Sequence, residues 1–369
     1  MIFLKKICLV LIIILLSVQV SAESINLSAE NAVIIEAESG RVLYQKNATA
    51  KATMASTTKI MTGLLACEYG KFDEVVTVSK NAAYQEGTSM YLKVGEKIAF
   101  SELLWGLLLS SGNDAAVAIA EHICGDSKTF AEKMTARAAE IGAVQTSFKN
   151  PNGLDEEGHF STALDMAKIT REALKNEKFS EIVSTWQKTT ERGTYTNHNK
   201  LLKMYNGVVG VKTGFTKKSG RCLVSACEAG GVKMIAVTLK APDDWNDHMK
   251  MYDYAKNNYK IKLPVEGGSI YCEITAENGE KVPLLCENNI GVFVNREEEG
   301  SLNITEDIPV KIALPVRKGQ RIGKITVSLN GVKMGESALL ADRDVLPPEK
   351  DSFCSVFIKS VKIFFGVFI

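Results

Sequence analysis

The strongest constraint on this 369-residue chain is a hydrophobic period that changes twice along its first two thirds. From 31 to 45 apolar residues alternate around Glu38-Ser39-Gly40-Arg41, the pattern of a β-hairpin. From Thr57 to about Asn176 helical spacing takes over, strongest over 57–66, 101–109, 114–123 and 129–141. Asn150-Pro151-Asn152-Gly153 reads as a turn, and Ser161-Thr162 with Asp165 as a helix N-cap. After Gly207 the pattern changes to strands over 208–215, 221–227 and 232–239, with turns at 217–220 and 229–231. A hairpin at one end and three strands at the other must share a core with the helices between them. The expected class is α+β, with one antiparallel sheet packed by helices.

A second unit follows. Gly267-Gly268-Ser269, shortly after Pro264, reads as a boundary. Beyond it, alternating segments such as 310–314 and 325–329 are punctuated by Asn278-Gly279 and Asn330-Gly331. This predicts an all-β, sandwich-like module over 265–350 with no catalytic constellation of its own. The ends differ from both units. Lys5 and Lys6 precede an apolar run over 7–16, and Val20-Ser21-Ala22 offers a small-residue cleavage site. That run is shorter than the roughly 20 residues of a membrane span, so a signal peptide over 1–22 is expected rather than an anchor. Cys8 lies inside the run and is not a lipoprotein cysteine.

In the last nineteen residues, 351–369, Ser352, Ser355, Lys359, Lys362 and Gly366 form one polar stripe on a helical projection. Phenylalanine, valine and isoleucine cover most of the remainder. Two mid-length lysines would each cost about 3 kcal/mol at the centre of a bilayer helix. An amphipathic helix lying in a membrane interface is expected, a helix docked on the β module being the alternative. The layout is therefore 1–22 signal, 23–264 catalytic domain, 265–350 β-rich domain and 351–369 anchor.

The formal charge is +1, and without the first 22 residues 42 basic face 43 acidic residues, so nothing points to nucleic acid. Seven cysteines remain without Cys8, with no tight spacing, which speaks against a disulfide framework. Cys222 and Cys227 suggest a metal pair, but five residues apart on a strand they face opposite sides. The four histidines are scattered, and neither a metal nor an organic cofactor is implied.

The chemistry lies in three ordered motifs: Ser56-Thr57-Thr58-Lys59, Ser111-Gly112-Asn113 and Lys212-Thr213-Gly214. A serine hydroxyl needs a base within hydrogen-bond reach, and Lys59 follows Ser56 by one helical turn. An amine serves as that base if burial and nearby positive charge, here from Lys212, lower its pKa. Ser111-Gly112-Asn113 interrupts two apolar helices in a loop that aims Ser111 and Asn113 into a cleft, or else is simply an interhelix turn capped by Asn113 or Asp114. Lys212-Thr213-Gly214 ends a strand whose edge can pair with an extended peptide. There Lys212 and Thr213 bring charge and a hydroxyl near a terminal carboxylate, and Gly214 lets substrate approach.

With these motifs in place, the chain resembles the low-molecular-mass penicillin-binding proteins of the serine D-alanyl-D-alanine carboxypeptidase type. Met54-Ala55-Ser56-Thr57-Thr58-Lys59-Ile60-Met61-Thr62, Asn150-Pro151-Asn152-Gly153-Leu154, Ser161-Thr162-Ala163 and Val211-Lys212-Thr213-Gly214-Phe215-Thr216 carry the likeness. The resemblance implies a five-stranded sheet with a helical subdomain of the β-lactamase/transpeptidase kind. It also implies peptidoglycan stem peptides ending in D-Ala-D-Ala as substrate, β-lactams as inhibitors, and a place outside the cytoplasmic membrane. Ser56 would be the acylated nucleophile, Lys59 the general base and Ser111 a proton relay near Asn113 and Lys212. Lys212, Thr213 and Gly214 would hold substrate, with the N–H groups of Ser56 and Phe215 as oxyanion hole.

Two departures bear on selectivity: Phe215 stands where some relatives carry a polar residue, and 242–248 is acidic where a basic carboxylate contact is expected. Two other readings compete. A class A β-lactamase shares two motifs and needs a deacylating glutamate, which Glu172 and Asn176 imitate in spacing while continuing a helical pattern. A surface binding protein with a dead site would leave the three motifs without a purpose.

Overall fold

A computed structural model describes residues 25–347. The expected signal segment, the 351–369 helix and Cys354 lie outside the described residues. The hairpin forms from β1, Asn31–Glu36, and β2, Val42–Lys46. The late strands are β3, Val208–Thr216, β4, Gly220–Ala229, and β5, Val232–Leu239. They join as one antiparallel sheet in the order β2-β1-β5-β4-β3. β1 runs in continuous register with β5, from Asn31 opposite Leu239 to Glu36 opposite Met234. The two ends of the stretch from Asn31 to Leu239 are thereby closed on each other, and β3 is left at an edge.

Both faces of the inner strands are covered, so β1, β4 and β5 are buried along most of their length. Val33 and Ile35 of β1, Val224 of β4 and Ile235 and Val237 of β5 pack into the helical core. Ile34, Leu223, Met234 and Ala236 point the other way, onto α7, Asp244–Asn258. Cys222 and Cys227 fall in these two separate cores, and the six described cysteines are free thiols. The helical core is built by α1, Lys59–Tyr69, α2, Phe100–Leu108, α3, Asn113–Cys124, α4, Ser127–Glu140, α5, Ala163–Ala173, and α6, Glu177–Ser184. Its caps are local: Thr162 accepts the Asp165 N–H at 3.0 Å, and Gly125 ends α3 at φ 85°.

The second module begins with β6, Lys260–Val265, which pairs with β9, Ile290–Val294. Residues 260–264, which the turn-rich sequence at 264–269 leaves on the catalytic side, thus pair within the β module. A six-stranded sheet completes it, in the order β10-β12-β13-β8-β7-β11. These are β7, Ile270–Ala276, β8, Lys281–Cys286, β10, Leu302–Asp307, β11, Lys311–Ile312, β12, Arg321–Leu329, and β13, Val332–Ala341. Val292 and Val294 pack with Ile325, Val327 and Leu339 across the two sheets. Phe293, between those valines, turns outward into the core beneath α7. Its N–H donates to Glu36 at 3.1 Å and its carbonyl accepts from Arg41 at 2.6 Å, while Arg41 also grips both Glu298 oxygens at 2.7 Å.

Candidate active site

Ser56 lies in a 3-10 turn, Ala55–Thr58, that feeds directly into α1. Its hydroxyl caps no helix; it accepts a hydrogen bond from the Lys59 amine at 2.9 Å. Ala55 is held at φ 46°, a left-handed conformation that a side chain adopts only when its surroundings impose it. Gly214 of β3 presses on this turn from the other side. A Cβ there would lie 2.9 Å from the Ser56 nitrogen and 3.0 Å from that of Thr57. The bare position therefore also seats the Ser56 turn against the strand.

The Lys59 amine is fully buried and makes three bonds: to Ser56 Oγ, to Asn113 Oδ1 at 2.7 Å and to the Asn152 carbonyl at 2.6 Å. Burial pushes its pKa well below the usual lysine range, and Lys212 pushes the same way against Asp114. The Asn150–Gly153 turn has a structural purpose here. Pro151 accepts from Thr62 Oγ1 at 2.6 Å and His159 meets Thr58 Oγ1 at 2.9 Å, which holds the Asn152 carbonyl on the lysine.

Ser111 has φ 61° and is almost fully buried, at the bend between α2 and α3. Asn113 opens α3, and its Nδ2 donates to the Glu86 carbonyl at 2.6 Å. Asp114 serves as no cap. Its carboxylate takes Ser89 Oγ at 2.6 Å and the N–H groups of Met90 at 2.9 Å and Leu92 at 3.1 Å, pinning that loop above the site. Lys212 is buried, donates to the Thr213 carbonyl at 3.0 Å, and has its pKa drawn down to about 7 by desolvation.

Ser56, Ser111, Thr213, Gly214 and Phe215 line one cavity of about 350 Å³. Three distant motifs therefore converge, as their chemistry requires. His198, Lys200, Arg221, Asp244 and Trp245 share the wall, and none of these was singled out by motif. The signal for Arg221 was its register: it stands directly across from Phe215 on the adjacent strand. The acidic 242–248 stretch supplies its partner, since Asp244 accepts both Nε and Nη2 of Arg221. Glu172 is elsewhere. It sits on α5, bound to Arg137 at 2.9 Å and Lys175 at 2.8 Å, and Asn176 caps α6. The β-lactamase-like spacing is a solvated helix face.

Comparison with known proteins agrees with this geometry. A family profile described as D-alanyl-D-alanine carboxypeptidase matches residues 17–243, and one for the penicillin-binding protein 5 C-terminal domain matches 259–346. The D-alanyl-D-alanine carboxypeptidase DacF of Bacillus subtilis is 35% identical over 334 residues, 86% of each chain. DacC of Escherichia coli is 30% identical over 352 residues, covering 88% of this chain and 86% of its own. The crystal structure of penicillin binding protein 5 from Haemophilus influenzae superposes with a TM-score of 0.65 at 25% identity, over 88% of this chain and 99% of that one. Since the profile spans all three motifs and the relatives extend through the β module, this chain belongs to the D-alanyl-D-alanine carboxypeptidase family of serine peptidases.

Proposed function

We propose that this carboxypeptidase removes the terminal D-alanine from peptidoglycan stem peptides through an ester on Ser56. Ser56 Oγ attacks the carbonyl carbon of the penultimate D-alanine and passes its proton to the Lys59 amine. The tetrahedral oxyanion is held by the N–H groups of Ser56 and Phe215. The C–N bond then breaks, the leaving amine takes a proton relayed through Ser111, and free D-alanine departs. Water attacks the ester, gives its proton back through Lys59, and releases the shortened peptide. Asn113 fixes the lysine, while Lys212 and Thr213 hold the peptide end against β3. A β-lactam follows the first half of this route and stops at the ester. The scheme calls on no metal or organic cofactor.

The observation that carries this reading is the 2.9 Å bond between Ser56 and a buried, pKa-lowered Lys59. An amine whose pKa is lowered in this way accepts a proton from the serine more readily than a free lysine can. The deacylating glutamate of a β-lactamase has no counterpart in Glu172, which is held by Arg137 and Lys175. We also infer export and attachment to the outer face of the cytoplasmic membrane through residues 351–369. The support is the Lys5–Lys6 apolar leader and the one-sided polar stripe of the tail. Among the described residues no helix is long and apolar enough to cross a membrane.

One experiment tests both parts. Cells producing the full chain, its Ser56→Ala variant or a form lacking 351–369 are labelled with a fluorescent penicillin and fractionated. The full chain should label in the membrane fraction, the truncated form in the soluble fraction, and Ser56→Ala nowhere. Label on another serine overturns the mechanism, and a truncated form that stays with the membrane overturns the anchor.

A further inference from the structure

A carboxypeptidase must read a free terminal carboxylate, and a desolvated anion needs a partner that keeps its positive charge in the cavity. The lysines at the floor of the site are poorly suited. The Lys59 amine is committed to Ser56, Asn113 and Asn152, and Lys212 is buried against the Thr213 carbonyl. Burial also draws both pKa values down. Lys200 lines the cavity but is exposed and makes no ion pair among the described residues, so holding it in place would cost side-chain entropy.

Arg221 is built differently. It projects from β4 opposite Phe215, into the cavity that Ser56 and Thr213 line. Nε and Nη2 donate to Asp244 Oδ1 at 2.9 and 2.8 Å, and the guanidinium lies 5.5 Å from the centre of the Trp245 ring. Asp244 is itself locked, with Oδ1 accepting the Trp245 N–H at 3.0 Å at the start of α7. The Arg221 side chain remains 41% exposed over an Asp244 that is 3% exposed. The fork is thus fixed from behind and open in front, with Nη1 in no hydrogen bond among the described residues. A guanidinium keeps its charge at any physiological pH and offers paired donors to a carboxylate. In the proposed scheme the terminal carboxylate lies one residue beyond the attacked carbonyl, so its partner must share the cavity with Ser56. Arg221 does.

We propose that Arg221 binds the terminal carboxylate of the peptide, and that Asp244 and Trp245 position its guanidinium for that contact. The acidic stretch, which the sequence marks as a departure bearing on selectivity, is then the backing of the carboxylate site. This inference rests on Ser56 as the acylated serine.

The test compares an N-acylated peptide ending in D-Ala-D-Ala with the same peptide ending in a carboxamide, in full-chain enzyme. The unaltered enzyme should strongly prefer the free acid. Arg221→Gln should lower kcat/KM for the acid by about 10²-fold, mostly through KM, and leave the carboxamide within a few fold. Arg221→Lys should recover part of the loss. Asp244→Asn, acting through the arginine, should show the same acid-selective change at roughly tenfold. Equal loss on both substrates, or an acid-to-amide ratio unchanged in Arg221→Gln, overturns the proposal. Penicillin labelling of Ser56 in the same preparations separates this from the site reading. A variant that still labels at Ser56 but keeps its ratio overturns the Arg221 assignment alone.

Discussion

The two modules solve the problem of burial in opposite ways. Beneath the cavity the catalytic domain buries Lys59, Asn113, Asp114 and Lys212, and two non-glycine residues there, Ala55 and Ser111, take left-handed backbones. Among the described residues of the β module the buried set is apolar apart from Ser337, and charged residues such as Lys324, Lys333 and Glu336 pair at the surface. Among its described residues the one left-handed non-glycine residue, Asn330, sits in an Asn-Gly turn that favours that conformation. Both modules pack densely, but only one accepts desolvated charge and backbone strain. Such costs persist where the surroundings over-determine them, and here they surround the reacting serine.

The sharpest way to break this comparison is at Lys59. Lys59→Met should lower the rate of penicillin acylation by about 10³-fold or more while leaving the near-ultraviolet circular dichroism of the domain intact. A variant that kept its acylation rate would show that the buried amine is structural, as every buried group of the β module is.

Leu339, fully buried in the β module, gives the reciprocal case. Leu339→Ala should cost roughly 2–5 kcal/mol in the urea transition of that module. Acylation by the molecules that remain folded should not change. A parallel fall in acylation would mean that the site depends on the module's packing.

Lys212 sharpens the contrast further, because its amine has a single weak claim on its surroundings, the adjacent Thr213 carbonyl. Lys212→Met should slow acylation by about 10²-fold yet raise stability by roughly 1–2 kcal/mol. Folded Lys212 titrates near 7, against an unfolded value of about 10.4, so between these the unfolded chain holds the extra proton. The unaltered enzyme therefore gains stability as pH rises through this window. The advantage of Lys212→Met, read from thermal midpoints, should be full below pH 7 and shrink toward pH 10. Removing the charge should also let Lys59 hold its proton more tightly, moving the acid limb of acylation to higher pH.

What the sequence disclosed was whatever repeats along it or is set by near neighbours. The hairpin, the helical runs around α1 to α4 and the three late strands were legible from period, and Thr162 from its capping pattern. Ser56 and Lys59 were legible because one helical turn joins them. The contacts that finish the site are not local. Asn152 reaches Lys59 only after the 150–153 turn folds onto α1, and Asp114 holds residues more than twenty positions upstream. Gly214 carries no sequence mark of the Ser56 turn that packs against it. The strand at 260–265 carries no mark of its partner, since pairing with β9 is chosen across some thirty residues of intervening chain. Arg221 and Asp244, 23 residues apart, each look like an ordinary surface charge until the sheet and α7 meet.

Phe293 has a mechanical consequence. One strand of the β module drives this ring into the core of the catalytic domain, with Glu36 and Arg41 clasping its backbone on either side. A pull or twist applied to the far module reaches β1 as leverage and is not dissipated in a slack tether. β1 is hydrogen-bonded to β5, and β5 to β4, the strand that carries Arg221. A contact made on the far module thus has an unbroken strand-to-strand route to one wall of the cleft.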